Sequence, residues 1–162
     1  MNKTINVKAG FTPAFTMIEL IFVIVVIGIL SAIAIPKLAA SRDDAVLVKG
    51  KSQVAAIRSG IAMQKSKRLL EGNVTALPNL DSVTVYNIDD QRLFNFSDGN
   101  ASNVLEYPIF SKKDHDGSWV KSAANQYKFY LEGTSVQFDY NSTSGTFDCT
   151  DHTDQNCKDL TK

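Results

Sequence analysis

The sequence predicts an α+β chain: a long N-terminal helix packed against a C-terminal antiparallel sheet of three or four strands. Three observations carry that expectation. An apolar run of 21 residues extends from Phe15 to Ile35, broken by one charge, Glu19. A helical-period stripe continues beyond it, and the last third of the chain alternates apolar with polar residues. At 162 residues the chain is long enough for one domain of ordinary size.

Residues 1–14 carry Lys3 and Lys8 and no acid. A basic start followed by an apolar run has the polarity of an export leader, with the positive end held in the cytoplasm. As a helix, Phe15–Ile35 spans about 30 Å, the hydrocarbon thickness of a bilayer. Leu20–Ile35 is dense in Ile, Val, Leu and Phe, with Gly28 and Ser31 as the small or polar interruptions. A cleaved secretory core is shorter and ends in small residues, so this segment reads as a membrane helix.

Residues 36–72 read as an amphipathic continuation. Pro36 removes a backbone donor and crowds the preceding turn, which predicts a kink rather than an end. Leu47, Val54, Ile57, Ile61 and Leu69 form one stripe, with Asp43, Asp44, Lys49, Lys51, Arg58, Lys65 and Lys67 between them. Gly50 and Gly60 each cost about 1 kcal/mol of helix propensity and predict local flexibility. Gly72-Asn73 is a stop signal.

Residues 73–125 read as a connecting region with one or two short elements. In residues 126–162, Tyr127–Leu131, Val136–Tyr140 and Thr146–Cys149 read as antiparallel strands, the first two joined at Glu132-Gly133. Cys149 and Cys157 are too few for a cysteine-built metal site. On the exported side of a membrane they read as a disulfide closing a small loop.

Phe15-Thr16-Met17-Ile18-Glu19-Leu20-Ile21, the apolar run after it and Pro36 together resemble the N-terminal cleavage and methylation motif of type IV pilins and type II secretion pseudopilins. The resemblance implies cleavage between Ala14 and Phe15 by a prepilin peptidase and N-methylation of Phe15. Counted from Phe15, Glu19 is fifth and Pro36 twenty-second, as the family pattern requires. The family usually has Gly before the cut, where this chain has Ala14. Cutting after Gly10 instead would place Glu19 ninth, so the spacing favours Ala14/Phe15.

A lone carboxylate in a membrane helix costs about 2.5–3.5 kcal/mol and needs a partner. The span holds no Lys or Arg. The resemblance implies that Glu19 of one subunit meets the Phe15 amine of its neighbour and sets the axial register of a filament. It also implies a single-pass inner-membrane precursor with a periplasmic C-terminal domain. The partners it implies are further copies and other pilin-like subunits, membrane lipid before assembly, and a platform driven by a cytoplasmic ATPase. A pseudopilin of a type II secretion system, exporting protein, is the favoured reading. A type IV or competence pilus subunit is the alternative. A signal-anchored periplasmic binding or sensory domain is the alternative from another class.

Seventeen Lys plus Arg balance seventeen Asp plus Glu, which gives no nucleic-acid signal. His115 and His152 are the two histidines, and no G-x-S-x-G, P-loop or H-E-x-x-H occurs, so no catalysis is expected. No cofactor is expected either. Asp114-His115-Asp116-Gly117 and the acids Asp148, Asp151 and Asp154 offer oxygens for Ca²⁺, which some major pseudopilins bind near the C-terminus. Neither stretch has EF-hand spacing, and polar turns are the expectation. Asn73, Asn95, Asn100 and Asn141 each begin an N-x-[ST] acceptor. Glu71, Asp98 and Asp139 stand two residues before three of them, Asn73, Asn100 and Asn141. That arrangement resembles the extended acceptor of bacterial oligosaccharyltransferases.

Overall fold

The computed structural model describes residues 15–96 and 103–162. The chain divides into two units, the boundary falling between Ala40 and Ser41. Helix α1, Met17–Leu70, begins in the first and ends in the second. Its backbone stays helical through Pro36. Ala14, expected to precede the cleavage, lies outside the described residues.

In the second unit α1 buries one side. Val54, Ile57 and Ile61 are buried, Leu47 is half-buried, and Leu69 remains exposed because the helix has run past the core. Burial of each aliphatic chain contributes about 1.5–3 kcal/mol. Gly50 and Gly60 serve close approach rather than flexibility. A Cβ on Gly50 would stand 2.5 Å from Leu160 Cδ2 and 2.7 Å from Phe129 Cε1. One on Gly60 would collide with the Val104 carbonyl oxygen. The helix ends as its sequence predicts: Gly72 takes φ +82°, its N–H bonds to Leu69 O at 3.1 Å, and Asn73 N–H bonds to Arg68 O at 2.8 Å. That pair of bonds is a Schellman stop.

The sheet has four antiparallel strands in sequence order: β3, Trp119–Ala123; β4, Gln126–Leu131; β5, Thr134–Asn141; and β6, Thr146–Cys149. A separate two-stranded ribbon pairs β1, Arg92–Leu93, with β2, Ile109–Phe110. The strand β3 arises within the stretch expected to connect. The β4–β5 turn places Glu132 at φ 52° and Gly133 at φ 69°, the left-handed pair that a two-residue hairpin requires. A short helix α2, Gln155–Thr161, follows the sheet and is capped by the Asp154 side chain.

Alternating residues of the strands meet the α1 stripe in one core. Trp119, Tyr127, Phe129, Phe138, Phe147 and Phe94 form its aromatic centre. Trp119 and Phe129 centroids lie 5.0 Å apart, and Phe138 stacks on Phe147 at 5.2 Å. The buried indole N–H is satisfied by Gln53 Oε1 at 3.0 Å, which ties the sheet to α1.

Candidate functional site

The helix start is set by Thr16. Its hydroxyl oxygen accepts the Glu19 N–H at 3.3 Å and its carbonyl accepts the Leu20 N–H at 3.2 Å. Thr16-x-x-Glu19 is the spacing of a capping box, and a carboxylate in the first turn is favoured by the helix dipole. Phe15 lies immediately outside the helix and is 82 % exposed. Glu19 is exposed in a shallow apolar recess that it lines with Ile18, Ile21, Phe22 and Val25. These are helical neighbours, so the acid sits on a greasy face.

Met17–Ile35 is long and apolar enough to cross a membrane, and none of it is buried within the chain itself. An exposed apolar surface of this size is compatible with a cover of lipid or protein. The structure thus places Phe15 and Glu19 at one end of an uncovered helix.

At the other end of the chain, Cys149 and Cys157 are disulfide-bonded with Cα atoms 6.0 Å apart, inside the normal range. The bond joins the end of β6 to α2, and both cysteines are buried. His152 Nδ1 lies 3.9 Å from Cys157 Sγ. Among the described residues, Cys149, His152 and Cys157 form the one close group of metal-ligating types, and the disulfide occupies its sulfurs.

The acids weighed for Ca²⁺ do other work. Asp148 pairs with Arg58 at 2.8 Å, and Asp154 caps α2. Asp151 accepts from Thr153 Oγ1 at 2.6 Å and Thr153 N at 2.9 Å, bonds that hold its carboxyl below the usual range. In the other stretch, Asp116 accepts from Gly133 N at 3.0 Å, and Asp114 lies 3.9 Å from Lys113. The 114–117 stretch forms polar turns, whereas Asp148 lies in β6 and Asp154 at the start of α2.

One cluster has no counterpart in the sequence reading. Lys121 Nζ donates to Asp81 Oδ1 at 2.6 Å and to Val83 O at 2.9 Å, while Tyr127 OH donates to Asp81 Oδ2 at 2.7 Å. The lysine and aspartate side chains are 4 % and 0 % exposed. Burial first, and the Asp81 charge second, push the Tyr127 phenol far above its ordinary value, so it remains a donor. The three residues pin the 77–83 segment to β3 and β4. Tyr140 OH adds a bond to Leu77 O at 2.8 Å. Every polar group of the triad has a partner, which marks a structural lock rather than a reactive site.

Asn73 and Asn141 are exposed, and Asn100 lies outside the described residues. Comparison with known protein families, characterised proteins and solved structures returned no match.

Proposed function

We propose that this chain is a structural, non-enzymatic subunit of a type IV pilus-like filament, and specifically a pseudopilin of a type II secretion system. The observation that carries the reading is the uncovered Met17–Ile35 span with its single acid, Glu19, in the first turn, four residues after Phe15. A membrane anchor alone gains only the small first-turn dipole benefit from that acid, and an acid costs up to about 2.5–3.5 kcal/mol at mid-membrane. A filament subunit does gain from it. Removal of residues 1–14 creates a cation at Phe15, and Glu19 of a neighbouring copy neutralises it. Apolar contacts among the helices then replace lipid contacts. The precursor would await assembly in the inner membrane, with its C-terminal domain periplasmic.

The test is Glu19→Ala in the native host, with filaments scored by shearing and microscopy and the N-terminus by mass. The expected result is loss of filaments, with membrane insertion and the Cys149–Cys157 bond retained. Unchanged filaments, or a mature chain that keeps residues 1–14, overturn the proposal. A signal-anchored sensory or binding domain predicts no effect of the substitution.

The disulfide-bonded C-terminal loop favours a second role, a surface or competence pilus subunit. Deleting the gene separates the two: a pseudopilin loss stops protein export, whereas a pilin loss removes surface fibres or DNA uptake.

A further inference from the structure

The acceptor-like tripeptides are not equivalent in the fold. Asn95 is half-buried, its Oδ1 is enclosed, and the buried Leu93 stands two residues before it. Asn141 is exposed but closes β5 opposite Thr146, and the residue before it, Tyr140, is buried with its hydroxyl bonded to Leu77. An enzyme could thread that segment through its cleft only by opening the β5–β6 hairpin.

Glu71-Gly72-Asn73-Val74-Thr75 shares the exposed asparagine and the upstream acid with the Asn141 stretch, but no strand holds it. All five residues are exposed, Val74 by 79 %, and none belongs to a helix or strand. The carboxylate precedes the asparagine by two residues and the hydroxyl follows it by two. Asn73 Oδ1 accepts from Thr75 N at 3.0 Å and from Thr75 Oγ1 at 2.7 Å. The turn thus engages the amide oxygen and leaves the amide nitrogen outside these bonds. The acid, asparagine and hydroxyl are displayed together on one accessible loop just past the α1 stop.

We infer that Asn73 is an N-glycosylation site, modified by a bacterial-type oligosaccharyltransferase from a polyisoprenyl-diphosphate-linked oligosaccharide. In the transfer the Asn73 Nδ2–C1 bond of the sugar forms and the C1–O bond to the diphosphate breaks. The amide nitrogen gives up one proton, and the polyisoprenyl diphosphate leaves with the bonding electron pair. No oxidation or reduction occurs. The inference rests on the periplasmic placement proposed above, because donor and enzyme of this class act on the exported side.

The experiment expresses the full chain in a bacterium carrying such an enzyme, its lipid-linked heptasaccharide donor and a control acceptor protein that becomes glycosylated. Intact mass and glycopeptide sequencing read the outcome. One heptasaccharide increment at Asn73 is expected in the folded, disulfide-bonded chain. Asn73→Gln and Thr75→Ala each lose it, Thr75→Ser retains it, and Glu71→Gln reduces occupancy at least several-fold. A disulfide-bonded chain without sugar, beside a modified control, overturns the inference and leaves the export reading standing. A reduced chain without sugar overturns both. An increment that persists in Asn73→Gln also overturns it, since another residue then carries the sugar.

Discussion

The least forgiving residues outside the apolar Met17–Ile35 span are Asp81, Lys121 and Tyr127. A buried ion pair is a weak source of net stability, yet removing one partner strands a charge and costs about 3–5 kcal/mol. Lys121→Met should therefore lower stability by about that amount in denaturant titration of the detergent-solubilised chain. Asp81→Asn added to it should recover part of the loss, because the stranded charge is gone. Recovery in the double variant is the telling result, since simple loss of packing predicts none. Alkaline behaviour belongs to this scale too. Burial raises the Tyr140 phenol from its ordinary 10.0 to about 12, with nearby Arg68 partly opposing the shift. Tyr127 is raised further by burial and by Asp81. The folded chain thus keeps protons that the unfolded chain releases, so this stability is complete below about pH 10 and is lost as pH rises through the folded values. Tyr140→Phe should cost about 1 kcal/mol at neutral pH through the missing bond to Leu77. It should also flatten the decline in stability between pH 10 and 12.

At the scale of elements, legibility followed periodicity. The α1 stripe is readable because Val54, Ile57 and Ile61 repeat at helical spacing, and β4 to β6 because their buried residues alternate. β3 is obscured by its own packing. Trp119, Val120 and Lys121 are buried consecutively, a charge stands where an apolar residue is expected, and the register shifts between Lys121 and Ala123. The helix α2 is seven residues long and offers a single turn signal, Asp154. Glu19 is legible as a local anomaly in an apolar run. The Asp81–Lys121–Tyr127 lock is not, because its bonds join positions 40 and 46 residues apart. The glycines of α1 carry a test at this scale. Gly60→Ala improves helix propensity, yet it drives a methyl group onto the Val104 carbonyl. If close approach governs, the variant loses about 1–3 kcal/mol in thermal or denaturant melts. If propensity governed, it would gain about 1 kcal/mol. The disulfide acts between elements, holding α2 on β6. In a closed loop this short, Cys149→Ser with Cys157→Ser should cost about 2–3 kcal/mol. Reduction of the wild type should lower the melting temperature comparably.

For the whole molecule, the two units satisfy their apolar surface in different ways. Among the described residues, the buried core lies within 41–162: the α1 stripe, the sheet, α2 and the disulfide. Met17–Ile35 buries none of its apolar side chains within the chain and depends on surroundings supplied from outside. A chain built this way separates folding from assembly, since the core-forming residues are not those that a filament or bilayer would cover. It follows that residues 41–162 expressed alone and exported should be soluble without detergent, run as a monomer on gel filtration, contain the Cys149–Cys157 bond and melt in one cooperative transition. The full chain should need detergent and lose that requirement only within an assembly. Were the fragment to aggregate or melt without cooperativity, the core would depend on residues before Ser41. The apolar helix would then be part of the fold rather than a surface held ready for lipid and for other copies.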